Sequence, residues 1–208
     1  MGARLLALGL LFLLPLLGAA HGVPAEGSDY VRIEGGQPWQ AEPGTIEVVE
    51  VFAYPCGHCD RFAPMLADWA RKAGPDVRVR YVPAAYQPTD AYARAWFALE
   101  ALGETRLHQR LFDAVHREGS LPGRGATIAE VGSFLVGEGL DAARVRAAMG
   151  SPATDAKMNA AREFAIRSGI QGTPTLIING RYRIQARSLQ DALHIADGLV
   201  AMERAAAR

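Results

Sequence analysis

The 208-residue sequence is poor in cysteine. It has two, Cys56 and Cys59, three positions apart in "VFAYPCGHCDRF". A bridge between them would close a loop too short to hold a fold together, since disulfides stabilise most when they close long loops. A structural disulfide framework is therefore excluded. An excess of charge of one sign is also lacking, with 22 Lys and Arg against 22 Asp and Glu. That balance gives no electrostatic preference for nucleic acid or any other polyanion, so no nucleic-acid partner is expected. Long apolar runs are missing after residue 20, and no later stretch is apolar enough to span a bilayer. There is no internal repeat and no low-complexity segment.

The first twenty residues are different. Arg4 precedes an apolar run from Leu5 to Leu17, and Gly18 and Ala20 are small residues at the −3 and −1 positions of a cleavage site. This is the layout of a secretory signal peptide, residues 1–20, cut after Ala20. The run is shorter than the roughly 18 to 20 residues a spanning helix needs, and Pro15 interrupts it. No cysteine follows the cut, so lipid attachment there is excluded. Cleavage removes one basic residue and no acid, leaving 21 against 22. The remaining length suits one well-packed domain with an insertion. An exported chain that keeps one close cysteine pair and no structural bridge points to sulfur chemistry.

Residues 45–54, "TIEVVEVFAY", are dense in β-branched and aromatic residues and predict a buried strand. In the following "CDRFAPMLADWARKAG", Phe62, Met65, Leu66, Trp69 and Ala70 recur at helical spacing until Gly74-Pro75. "DVRVRYVPA" alternates as a second strand, and the β, α, β order predicts that the two strands are parallel. From about 86 to 168 the pattern is helical. One helix is capped by Thr89 or Asp90 and carries Tyr92, Trp96, Leu99 and Leu102 on one face. "TPTLIING" and "RYRIQA" flank Asn179-Gly180, a hairpin signal, and a last amphipathic helix is capped by Ser188. Tyr30–Ile33 reads as a further short strand.

The cysteine pair opens a helix. Unpaired N–H groups and the helix dipole favour a thiolate at Cys56, while Cys59, one turn in, is shielded and can resolve a mixed disulfide. Gly57 permits a tight turn, and His58 is placed to donate a hydrogen bond or partial positive charge to Cys56. A stabilised thiolate makes the disulfide more oxidising. Glu50 stands out inside "VVEVF". A carboxylate in a buried strand is costly unless paired or functional, so it is a candidate acid that moves a proton for Cys59, with Arg80 of the next strand as a possible partner. Thr173-Pro174 must open its strand, because Pro cannot sit inside a central ladder. A cis bond there would leave the Thr173 backbone free to pair with an extended peptide.

Metal binding is the competing chemistry. Cys56, Cys59 and His58 supply at most three ligands where a structural zinc site uses four, and His21, His108, His116 and His194 are scattered. No Met-rich or His-rich cluster supports copper delivery. No metal and no cofactor beyond the cysteine pair is expected.

Strand, Cys-x-x-Cys helix, strand, helical insert, Pro-led strand, hairpin and final helix together resemble the thioredoxin superfamily. "VVEVFAYPCGHCDRFAP" and "GIQGTPTLIINGRYRI" resemble the active-site and cis-proline segments of its DsbA branch, the periplasmic thiol:disulfide oxidoreductases of Gram-negative bacteria. The likeness spans about residues 29–205. It implies an α/β, thioredoxin-like fold with an inserted helical subdomain: residues 21–85 and 154–208 form a discontinuous thioredoxin-like domain and 86–153 the insertion. It implies Cys56 as nucleophile, Cys59 as buried partner, His58 as thiolate stabiliser and Glu50 as buried acid. Tyr54, Thr173 and Pro174 would contact substrate, in an apolar groove lined partly by the insert. The implied activity is donation of the Cys56–Cys59 disulfide to newly exported, unfolded polypeptides with free thiols in the periplasm. A quinone-linked membrane oxidase of the DsbB type would reoxidise the pair. No dimerisation segment is visible, so a monomer is expected. Two departures bear on direction. The dipeptide is Gly-His rather than Pro-His, and residue 63 is Ala rather than an acid; the first keeps an isomerase or reductase as the alternative activity.

Overall fold

The computed structural model describes residues 23–207; the expected signal peptide lies outside them. The five strands are β1 (Tyr30–Arg32), β2 (Ile46–Phe52), β3 (Val77–Pro83), β4 (Thr175–Ile178) and β5 (Tyr182–Ile184). They form one sheet in the order β1-β5-β4-β2-β3, parallel between β2 and β3 and antiparallel elsewhere. β2 is paired on both sides, and all seven of its residues are buried, as suits a central strand rich in Val, Ile and Phe, although two of the seven are Glu47 and Glu50.

Seven α-helices accompany the sheet among the described residues. α1 (Gly57–Lys72) links the parallel strands; α2 (Ala91–Leu102), α3 (His108–His116), α4 (Ile128–Gly137) and α5 (Ala142–Met149) form the insert; α6 (Pro152–Arg167) returns to the sheet and α7 (Leu189–Ala206) ends the fold. The expected boundary after residue 153 falls in the first turn of α6. Asp90, not Thr89, caps α2, its carboxylate accepting from the Ala93 amide. Ser188 caps α7 as its sequence suggests.

Each face of the sheet has its own core. On one, Val48, Leu176 and Ile178 meet Phe62 and Leu66 of α1 and Leu199 and Val200 of α7. On the other, Val49, Val51 and Ile177 meet Trp96 and Leu99 of the insert and Phe164 of α6. Full burial of each such large side chain contributes roughly 1.5 to 3 kcal/mol. The alternation of β2 thus places residue 50 on the α1 side of the sheet, beneath the start of α1. The Asn179-Gly180 turn has both residues at positive φ, 49° and 65°, the geometry a two-residue hairpin needs.

The insert is tied to the strand ends by rings. His108 of α3 sits among Phe52, Tyr54, Tyr81, Trp96 and Phe112, with centroids 4.7 to 5.4 Å away. This cluster fixes α3 against the point where β2 runs into α1.

Candidate active site

Cys56 caps α1 in an extended conformation (φ −87°, ψ 111°), its carbonyl accepting from the Asp60 amide at 3.1 Å. Its Sγ–H donates to the carbonyl of Thr173 at 3.2 Å, across 117 residues of sequence. The Thr173-Pro174 bond is cis, and β4 begins immediately after it at Thr175. Both cysteines are free thiols, Cys56 half-buried and Cys59 buried.

The two sulfurs are electrostatically unequal. The Cys59 thiol, hydrogen-bonded to Cys56, pulls the Cys56 pKa down to about 4 against the opposing effect of burial. The Thr173 side chain and the amides of Cys59 and His58 act in the same direction. Cys59 shifts strongly upward, because it donates to Cys56, is desolvated and faces the Glu50 charge. Cys56 is thus the sulfur favoured as an anion, and Cys59 the one that holds its proton.

Glu50 is fully buried, and among the described residues neither carboxylate oxygen has a hydrogen-bond partner. Burial first, and the Cys56 charge second, push its pKa up to about 8. The expected pairing with Arg80 does not form. Arg80 stands opposite Val49 while Glu50 stands opposite Tyr81, so a one-residue offset turns Arg80 to the other face of the sheet. Arg80 pairs instead with Glu42.

His58 is exposed. Its backbone amide is one of the groups that lower the Cys56 pKa, after the Cys59 thiol. Tyr54 departs from expectation. Its ring is 1% exposed, and its hydroxyl hydrogen-bonds His108 Nδ1 at 2.9 Å, because the chain turns at Tyr54-Pro55 and swings the ring into the α3 cluster. It is not among the residues that line the groove beside the cysteines. The groove beside the cysteines, about 920 Å³, runs between α1, the cis-proline loop, the end of β5 and the start of α7. No residue of the insert lines it.

Several residues at this end of the molecule escaped the sequence. His116 Nε2–H donates to the Tyr54 carbonyl at 2.7 Å, so two histidines of α3 hold the residue that leads into the turn. The one available signal was the spacing of His108, Phe112 and His116 along a single helix face. Asp60 supplies an acid in the first turn of α1, paired with Arg117 at 3.0 Å. Tyr86, 63% exposed, has its pKa raised by partial burial of its hydroxyl and then by the charges of Cys56 and Cys59. Among the described residues no group of three or more His, Cys, Asp or Glu is placed to hold a metal ion.

A mixed sheet that sets an anion-favouring cysteine at a helix start, against a cis-proline loop, defines a thioredoxin-like thiol–disulfide oxidoreductase whose redox-active group is the cysteine pair itself. Comparison with known proteins narrows the class. The family model "DSBA-like thioredoxin domain" matches residues 47–197, and the chain belongs to that family. Relatives include the thiol:disulfide interchange protein DsbA of Azotobacter vinelandii, 37% identical over 86% of this chain and 85% of its own. The DsbA of Pseudomonas aeruginosa is 34% identical over 88% and 87%. The crystal structure of DsbA from Xylella fastidiosa superposes with a TM-score of 0.84 at 38% identity, covering 88% of this chain and all of that one. The chain is a thiol:disulfide interchange oxidoreductase by this membership.

Proposed function

We propose that the protein is an exported dithiol oxidase that gives its Cys56–Cys59 disulfide to newly translocated polypeptides in the periplasm. The observation that carries this reading is the opposite displacement of the two sulfurs, Cys56 toward the anion and Cys59 toward the thiol. A substrate thiolate attacks Cys56 Sγ of the oxidised pair, the Cys56–Cys59 bond breaks, and Cys59 leaves. Because Cys59 is a poor anion here, it must take up a proton. Glu50, neutral at pH 7 with a pKa near 8, lies beneath the pair and is the acid that supplies it, through water where the two do not meet. A second substrate thiolate then attacks the substrate sulfur of the mixed disulfide, and Cys56 departs as the stabilised thiolate. Two electrons move from substrate to protein, and substrate gains a disulfide. A favoured Cys56 thiolate stabilises the reduced form and makes the pair oxidising, which supports an oxidase over a reductase or isomerase.

The two-electron cycle closes through a membrane oxidase of the DsbB type linked to quinone. Thr173 and Pro174 face the incoming sulfur, and the His58 imidazole stands on the groove's rim. Residues 1–20 direct export as a signal peptide, and the protein works as a monomer. The test is oxidation of a reduced, unfolded model protein by the purified oxidised enzyme: stoichiometric transfer of one disulfide is expected, with none from Cys56→Ser. Residual transfer by Cys56→Ser would end this reading.

A further inference from the structure

The groove beside Cys56 has a charge pattern that the neutral chain as a whole does not. Arg61, Arg183 and Arg187 line it with His58, and no Asp or Glu does. Arg61 lies at the cysteine turn: a side chain at Gly57 would place its first carbon 3.9 Å from Arg61 Nη1. Among the described residues Arg61 has no ion pair. Arg183, half-buried, is held by carbonyls at the end of α6, with Ser168 at 3.1 Å and Gly169; these orient its guanidinium without neutralising it. Arg187 alone has a carboxylate, Asp191, at 3.4 Å and with its own side chain 87% exposed, a contact that solvent weakens. The three cations thus line the same groove as Thr173 and Pro174, where a substrate sulfur must arrive.

We infer that this groove selects acidic segments: the preferred substrate carries Asp or Glu within a few residues of the cysteine being oxidised. The inference rests on the dithiol-oxidase reading and names the substrate class of that same site. An extended chain advances about 3.3 Å per residue, so a segment whose cysteine reaches Cys56 sets its neighbouring side chains along the groove. Carboxylates there meet guanidinium groups that offer two parallel donors. A lysine-flanked segment meets like charge, and the mismatch acts as strongly on choice of partner as the match does.

The experiment uses three reduced two-cysteine peptides that differ only in having Asp/Glu, Ser or Lys at the flanking positions, with kcat/KM for oxidation read at low and high ionic strength. At low salt the acidic peptide is expected to react roughly tenfold faster than the lysine peptide, the difference closing to about twofold when salt screens the charges. The Arg61→Glu/Arg187→Glu double variant is expected to reverse the order. Its rate with the Ser peptide, and its equilibrium with glutathione, report any change in the cysteine pair itself. Equal rates for all three peptides, or a preference that survives the double variant undiminished, overturn the inference and leave the oxidase reading standing. Failure to oxidise any peptide overturns the oxidase reading instead.

Discussion

Glu50 shows how one residue's position sets its chemistry. The strand around it is buried on both faces, and among the described residues nothing hydrogen-bonds its carboxylate. The fold therefore keeps it protonated up to about pH 8, where an unfolded chain would ionise it near the usual 4.5. With the native state binding the extra proton, stability is lost as pH rises through that window and levels off above it. Glu50→Gln keeps the shape and removes the ionisation. In the oxidised protein, where no thiol titrates, Glu50→Gln should be more stable than wild type by a few kcal/mol at pH 8, with the gap shrinking toward pH 4.5. Denaturant midpoints across that range check it, and parallel curves would show that Glu50 is solvated or paired in solution. The same substitution should slow mixed-disulfide formation, because Cys59 loses its proton source. A buried carboxylate was legible from "VVEVF" alone. Its lack of a partner was not, because the pairing with Arg80 turned on a register that only the assembled sheet sets.

At the scale of elements, most of the layout was legible because each piece carries local physics. The valine-rich run, the helical spacing of Phe62, Leu66 and Trp69, the Asn-Gly turn and the Ser188 cap each name their own structure. What failed was what depends on distant chain. Tyr54 was placed in a groove, yet it is held by His108 and His116, 54 and 62 residues away. The groove walls come from α7 and the end of β5 because the insert docks on the other side of the α1 start. The hairpin shows both sides of this limit. Its Gly180 was readable as a positive-φ turn residue, but not that the backbone of Gln37 lies against it, so that an added Cβ would sit 2.0 Å from the Gln37 carbonyl oxygen. Gly180→Ala should therefore cost about 3 kcal/mol or more, combining left-handed strain with backbone displacement. Gly35→Ala serves as the reference, at φ 62° with open space around it, and should cost only about 1 kcal/mol. Equal losses in chemical denaturation would show that the Gln37 segment yields freely.

For the whole molecule, the cysteine pair links redox state to folding. In the oxidised protein neither sulfur titrates, whereas in the reduced protein both do, so the stability difference between the two forms isolates them. Burial, the main cause of the Glu50 shift, is common to both forms and largely cancels. Cys56 ionises at about 4 in the fold against about 9 in an open chain. Its contribution to the reduced form is therefore absent below about pH 4, grows as the pH rises from 4 to 9, and is complete above 9. Cys59 is displaced the other way, so above pH 9 the unfolded chain ionises it while the fold does not, and stability declines again. The reduced-minus-oxidised difference should thus rise with pH at no more than about 1.4 kcal/mol per unit and pass through a maximum near pH 9. The total should reach a few kcal/mol once solvent screening at the half-exposed Cys56 sulfur is allowed for. Paired denaturation curves of the two forms between pH 4 and 10 measure it. An oxidase needs the reduced form to be the more stable one at neutral pH, because that difference is what drives the disulfide into substrate. A difference that stays flat across this range would mean that Cys56 ionises like an ordinary thiol, and the protein would have no thermodynamic reason to give its disulfide away.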